Sequence, residues 1–178
     1  MSLYKVDAIN IKSFDLGEAD KLITLYSKEK GKIRAVAKGA RRIRSRFGGR
    51  LELFVYHQAL LAEGKDLDQL SQAEIIEPFI KLRESIDILT TGSYLVWIID
   101  KATEEKHPNR PLFMLLLTSL QALAGGELPD KVRQAFQRKF LEIEGIMPQL
   151  AEDLSDKAFI EHFGDYTSIK SFMGKKRK

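Results

Sequence analysis

The spacing of the hydrophobic residues changes at Pro78, and this change limits the chain to a strand-rich segment followed by a helical one. Before Pro78, apolar residues alternate with polar ones in five short segments, which is typical of half-buried strands. Beyond Pro78, apolar residues recur three and four apart, as on amphipathic helices. We therefore expect an α+β chain with a small five-stranded barrel, residues 1–78, and an all-helical domain, residues 79–178.

Two strands carry specific expectations. Apolar residues alternate from Tyr4 to Ala8, but from Ile9 the alternation slips by one residue, and a β-bulge near Ala8 would explain the slip. The last two strands are predicted over Leu51–Glu63 and Leu70–Glu77.

Helices are predicted in the segments that proline and glycine separate. Leu82, Ile86 and Leu89 form the first apolar stripe, and Tyr94 and Trp97 belong to the second. The later helices are predicted over Ser93–Glu105, over Leu112–Ala124, between Pro129 and Gly145, and in a short segment at Ser155–Phe163.

The segment Lys28–Arg50 concentrates positive charge, with ten Lys or Arg residues and one acid, Glu29. The rest of the chain holds 19 basic and 24 acidic residues. Such neighbouring charges repel one another within the Debye length of about 8 Å. Nucleic acid, anionic membrane and acidic protein tails are the candidate partners, and a solvated lysine-rich face is the alternative. Five arginines fall in Arg41–Arg50, which favours phosphate as the ligand.

Several classes of protein are disfavoured by the residue types. The chain has no cysteine, which excludes a disulfide scaffold, a thiolate nucleophile and a cysteine zinc site. It has no apolar run of membrane-spanning length and no signal-peptide pattern, so we expect a cytoplasmic protein without membrane contact. Asp15, Glu18 and Asp20 are ordinary turn residues, although a nuclease metal site is the alternative. We expect no catalysis, no metal and no cofactor.

Four motifs in the first half, in this order and spacing, carry a resemblance to a known family. They are YKVDAINIKS near the N-terminus, DLGEADKL (Asp15–Leu22), EKGKIRAVAKGARRIRSRFGG (Glu29–Gly49) and GKDLDQLSQAE (Gly64–Glu74). The similarity continues more loosely through the helices to GIMPQL (Gly145–Leu150). The KGAR element followed by a Ser-Arg pair is the most specific part. The chain resembles the RecO family of bacterial DNA repair proteins over about 150 of its 178 residues.

The resemblance implies an OB-fold barrel and a helical domain. It implies binding to single- and double-stranded DNA, annealing of complementary strands, and action in the cytoplasm on the nucleoid. It also implies work beside RecR to bring RecA onto DNA, and contact with the acidic tail of single-stranded DNA-binding protein. Many members carry paired cysteines of a zinc module after the GIMPQL position, where this chain has Asp153 and Asp156. The resemblance therefore implies a form without that module.

An OB barrel binds nucleic acid with a basic groove for the backbone and aromatic side chains for the bases. We expect phosphate contacts from one face of the third strand and from the loop that follows it. Engagement of about six phosphates predicts a slope near -4 for log affinity against log salt on single strands. Phe47 either stacks on a base or is a hydrophobic plug for the loop. The predicted phosphate contacts are Lys32, Arg34, Lys38, Arg41, Arg42, Arg44 and Arg46.

A second hypothesis is an adaptor whose basic loop binds acidic tails of partner proteins, with DNA contact secondary. Arg133 and Arg138 lie on the predicted last long helix and are candidates to border a groove for an acidic peptide, with a solvated face as the alternative. The basic C-terminal tail, Lys175–Lys178, either adds DNA affinity or only aids solubility.

Overall fold

The computed structural model describes residues 1–145, in which a closed five-stranded barrel precedes three α-helices. The strands are β1 (Leu3–Leu16), β2 (Asp20–Ser27), β3 (Gly31–Ala37), β4 (Tyr56–Ala62) and β5 (Asp68–Glu77). The helices are α1 (Ile86–Ala102), α2 (Arg110–Ala124) and α3 (Pro129–Ile143). Around the barrel the strands follow the order β1-β2-β3-β5-β4, with β3 and β5 parallel. The predicted α+β class, an OB-fold barrel followed by helices, is confirmed.

Both faces of β1 are buried between Ala8 and Ile11, and this explains the change of alternation in its sequence. Ala8 joins the apolar core inside the barrel. Ile9 and Ile11 belong to a second core that the barrel wall shares with the helices. A β-bulge was predicted near Ala8. The strand register instead shifts between Asn10 and Lys12, so the irregularity lies after Asn10. The alternation in the sequence slips near Ala8 because apolar residues occupy both faces of the strand from there on.

The segment before β4 is a turn and not the strand that was predicted from Leu51. Gly48–Leu51 forms a short 3-10 helix, and Leu51 is buried in the barrel core. The Asn10 side-chain amide donates hydrogen bonds to the carbonyl oxygens of Arg50 and Glu52, at 2.9 and 3.0 Å. In a strand, these carbonyls would accept hydrogen bonds from the backbone of a neighbouring strand, but here they accept them from a side chain. The strand β4 therefore begins only at Tyr56.

One long helix replaces the first two predicted helices. After Pro78 the chain forms a short 3-10 helix, Ile80–Arg83, and α1 then continues through the predicted boundary near Ser93. Gly92 lies in the middle of α1 and allows close packing on the barrel side, because an added Cβ would lie 3.0 Å from Cζ of Phe54. The next two helices, α2 and α3, agree with the predictions to within a few residues.

A lysine of β3 binds the C-terminal end of α1. The Lys32 ammonium donates to the carbonyl oxygens of Asp100 and Thr103, at 2.8 and 2.6 Å, and lies 3.4 Å from Asp100 Oδ1. Lys12 of β1 forms an ion pair with the same carboxylate at 3.2 Å. The last carbonyls of a helix lack helical partners and carry partial negative charge, so these cations stabilise that end. The barrel and the helices are thus joined by charged contacts as well as by a shared core.

Residues 146–178 lie outside the described part of the chain. The predicted helix at Ser155–Phe163, the positions Asp153 and Asp156, and the tail Lys175–Lys178 fall there. Within residues 1–145, none of the helices has the length and apolar character to cross a bilayer.

Candidate nucleic-acid interface

Residues 38–47 follow β3 and are here called the basic loop. The first turn of this loop is hydrogen-bonded to Ala19 and Asp20, where the turn after β1 leads into β2. The Gly39 N–H donates to Asp20 Oδ1 at 2.8 Å, and the Arg41 N–H donates to the Ala19 carbonyl at 2.9 Å. Gly39 has a φ of +71°, a backbone conformation that favours glycine. The carboxylate of Asp20 therefore positions the loop.

Phe47 fixes the other end of the basic loop, because its side chain is only 1% exposed and lies in the barrel core. The guanidinium carbon of Arg46 lies 5.0 Å from the centre of the Phe47 ring and covers it. A ring buried in this way cannot receive a base without leaving the core. The packing therefore favours the alternative for Phe47, a plug that pins the loop, over stacking on a base.

Three predicted phosphate contacts already have partners within the protein. Lys32 is bound to the end of α1 and its side chain is largely buried, so its assignment as a phosphate contact is corrected to a structural role. Arg34 lies 3.6 Å from Glu105, and both side chains remain partly exposed. Arg41 lies 3.4 Å from Asp15 and donates to the Gly17 carbonyl. Exposed ion pairs of this kind are weak and exchange readily for other partners, so Arg34 and Arg41 remain available.

The remaining cations of the basic loop are exposed and form no ion pair with any carboxylate in residues 1–145. Two of them, Arg42 and Arg44, lie in a turn that the Ser45 N–H closes by donating to the Arg42 carbonyl at 2.9 Å. Ile43, in the same turn, is fully exposed. These cations are Lys38, Arg42, Arg44 and Arg46.

A cleft of about 210 Å³ lies on the outer barrel wall between the strands and the end of α1. The strand register places side chains in two rows across β1, β2 and β3. One row is Lys12, Thr24 and Arg34, and the next is Phe14, Leu22 and Val36. Phe14 is 40% exposed, and its ring centre lies 5.3 Å from the Lys12 ammonium. All of the first row lines the cleft, and Phe14 and Leu22 of the second row line it as well.

Sequence reasoning missed Lys12 and Phe14 as members of this face. The alternation of β3 indicated only that Arg34 and Val36 share one face of that strand. What the sequence lacked was the register that sets Phe14 opposite Leu22.

Two tyrosines of the barrel are packing residues. Tyr26 is fully buried, and its ring centre lies 6.3 Å from that of Phe113 of α2. Tyr56 is half-buried and lies 6.0 Å from the same ring. Burial raises the pKa of both phenols above the usual value for tyrosine.

The two arginines predicted to border a peptide groove do not line the groove between α2 and α3. Arg133 lies 3.3 Å from Asp130, within its own helix, and Arg138 is exposed. A five-residue separation places the two arginines about 140° apart around the helix axis. The groove between α2 and α3, of about 430 Å³, is bordered instead by Lys131 and Lys139. The geometry therefore does not bring Arg133 and Arg138 together.

Comparison with known proteins decides the family. The family model described as the recombination protein O N-terminal domain matches residues 1–79, and that of the C-terminal domain matches residues 83–172. The chain belongs to the RecO family. Together the two matches cover the barrel and the helices.

Curated relatives carry the same family name. The chain is 41% identical over 150 residues to a DNA repair protein RecO of Pelotomaculum thermopropionicum, covering 84% of this chain and 58% of the relative. It is 39% identical over 150 residues to that of Desulforamulus reducens, with the same coverage. It is 40% identical over 149 residues to that of a Nocardioides species, covering 82% and 61%. The chain thus spans about three fifths of the length of these relatives.

Proposed function

We propose that this RecO-family chain is a non-catalytic recombination mediator in DNA repair. It binds single- and double-stranded DNA, anneals complementary strands, and helps RecR to load RecA. The acidic tail of single-stranded DNA-binding protein is a further proposed partner. Its place of action is the cytoplasm, on the nucleoid.

One observation supports DNA binding above the rest, the exposed cations of the basic loop. Lys38, Arg42, Arg44 and Arg46 have no carboxylate partner within residues 1–145, and the loop that bears them is tied to the barrel at both ends. Because these positive charges have no carboxylate to neutralise them, they repel one another until an anion binds. A phosphate backbone supplies several anions at a regular spacing, and arginine is well suited to them.

The proposed annealing activity follows from the same charges. Two strands that each carry phosphates repel one another, and a cationic loop between them lowers that repulsion. Phosphate contacts position a strand without reading its sequence, so we expect little sequence preference.

The test is fluorescence anisotropy with a labelled single-stranded DNA oligonucleotide. The Arg42→Ala/Arg44→Ala double variant should bind more weakly than the wild type. The matched control is Lys131→Ala/Arg138→Ala, which removes two exposed charges from α3 and should bind almost as the wild type does. Unchanged binding in the Arg42/Arg44 variant would remove the proposal.

The second candidate, an adaptor for acidic protein tails, rests on the same exposed loop. It predicts that a fluorescent acidic peptide binds more tightly than DNA of equal charge, and that DNA competes poorly. The reverse order of affinities favours the DNA mediator. Incubation with magnesium or manganese should leave the DNA intact, since cleavage would indicate a nuclease.

The division into domains at residues 1–78 and 79–178 stays a prediction. Lys32 and the shared core connect the two halves, so we propose that they unfold together in the described part of the chain. Coincident urea transitions followed by Trp97 fluorescence and by circular dichroism would support this.

A further inference from the structure

We infer that the cleft around Phe14 is a subsite for one unstacked base of a single strand, and that Phe14 makes the protein favour single strands over duplex. This inference rests on the proposed function and adds a part of the barrel that the basic loop does not include.

The exposed ring of Phe14 is the first argument. Phe14 is 40% exposed although it faces Leu22 on the neighbouring strand and has the Lys12 ammonium 5.3 Å from its ring centre. All three residues line the cleft. Aromatic side chains on a barrel face accept bases of any sequence, since every base has a π-face. The ring of Phe47, the aromatic residue of the basic loop, is buried and unavailable for this purpose.

The surrounding charges are the second argument. Lys12, Lys32 and Arg34 line the cleft together with two acids, Asp100 and Glu105. Asp100 is taken by Lys12 and Lys32, whereas Glu105 holds Arg34 only at 3.6 Å and in partly exposed surroundings. Arg34 can therefore exchange Glu105 for a phosphate next to the base on Phe14.

The path from the cleft to the basic loop is the third argument. Arg34 and Val36 follow one another on the outer face of β3, and Lys38 comes directly after the end of the strand. Four residues of a strand span about 13 Å. A single strand that leaves the cleft therefore reaches the basic loop directly, so one backbone engages both places.

A base inside a duplex is stacked on its neighbours and cannot enter the cleft. Loss of the ring should therefore weaken single-strand binding and leave duplex binding, which depends on phosphate contacts, almost unchanged. Since each stacked base contributes roughly 1–3 kcal/mol, the Phe14→Ala variant should bind single strands about fivefold or more weakly.

The experiment uses the whole chain with an oligothymidine and with a duplex of the same length. Anisotropy compares the wild type with Phe14→Ala at one salt concentration. In parallel, Phe14→Trp is titrated with oligothymidine, and stacking should quench the added fluorescence. The matched control is Leu16→Trp, because Leu16 is 41% exposed on the same strand but does not line the cleft. The native Trp97 is 6% exposed and gives the same background in both variants.

The inference is supported if Phe14→Ala loses single-strand affinity selectively and if only the Phe14→Trp variant is quenched. Equal single-strand binding by Phe14→Ala and wild type would overturn it, as would equal losses for single strand and duplex, or equal quenching of the two tryptophan variants. Failure of the proposed function is recognised separately. In that case the Arg42→Ala/Arg44→Ala variant binds as the wild type does, whatever Phe14 contributes.

Discussion

The Lys32 ammonium lies 2.6 Å from the carbonyl oxygen of Thr103, the residue that follows the last residue of α1. A side chain of the barrel thus satisfies the end of a helix in the other half of the protein. This contact changes what a substitution at Lys32 should do.

Replacement of Lys32 by Met should destabilise the fold. The carbonyls of Asp100 and Thr103 lose their charged donor, and the expected decrease in the free energy of unfolding is about 2 kcal/mol. Urea denaturation measures this decrease. Lys5→Met, at an exposed position of β1, is the control and should have almost no effect. Equal stability of the two variants would mean that Lys32 does not hold α1.

Phe47 provides a test between a plug and a stacking residue. Phe47→Ala should lower the free energy of unfolding by about 3–5 kcal/mol, because the ring is buried in the barrel core. Phe47→Leu retains most of the apolar volume, so this variant should fold and bind DNA nearly as the wild type does. A folded Phe47→Leu variant with strongly reduced single-strand affinity would instead favour stacking.

Removal of the Glu105 charge should strengthen binding to single strands. Glu105 lies 3.6 Å from Arg34, and Glu105→Gln frees that guanidinium for phosphate. Exposed ion pairs contribute up to about 1 kcal/mol, so the expected gain in affinity is roughly twofold to fivefold. Glu104→Gln removes an equal charge from the neighbouring, highly exposed position. Similar gains from both variants would indicate a general charge effect and no role for the Arg34 ion pair.

The buried pair of Asn10 and His57 should make stability depend on pH. His57 Nε2 lies 2.8 Å from Asn10 Oδ1, so Nε2 carries the proton, and Nδ1 has no hydrogen-bond partner in the described residues. Burial lowers the pKa of His57 from 6.5 to about 4. Between these values the unfolded chain binds a proton that the folded chain does not. The free energy of unfolding should therefore decrease as the pH falls from 6.5 towards 4, by about 1.4 kcal/mol per pH unit from this group.

Urea denaturation of wild type and His57→Gln at several pH values measures this contribution as the difference between their slopes. His107→Gln, at an exposed position, is the control for the loss of a histidine as such. Identical slopes for wild type and His57→Gln would contradict the assignment.

The fold could be predicted in outline because the hydrophobic period reports local structure directly. The change at Pro78 was sufficient for a barrel followed by helices. The prediction from hydrophobic spacing failed where a residue contacts a part of the chain that is distant in sequence. Asn10 binds the carbonyls after residue 49 and turns a predicted strand into a 3-10 helix. Gly92 resembles a helix boundary in sequence, but here it allows α1 to pack closely on Phe54.

The candidate site could be predicted by its charge but not by the orientation of each side chain. Lys38, Arg42 and Arg44 are exposed, as a basic loop requires. Lys32 has the same position in the alternation as Arg34, yet it meets the end of α1, a neighbour that no local pattern reveals. Phe47 lies among arginines in sequence and is buried in space. Phe14 could be placed on the same face only once the register of β1 and β2 was known.

The salt dependence of single-strand binding tests the central claim most directly, that the exposed cations of the basic loop grip phosphates. Four such cations lack a carboxylate partner in residues 1–145, and alone they predict a slope near -3 for log affinity against log salt. If Arg34 and Arg41 exchange their carboxylates for phosphate, the wild-type slope approaches the -4 predicted for about six phosphates. The Arg42→Ala/Arg44→Ala variant should lose about 1.4 of that slope, whereas Lys131→Ala/Arg138→Ala should keep it. A wild-type slope near zero, or equal slopes for the two double variants, would contradict the account.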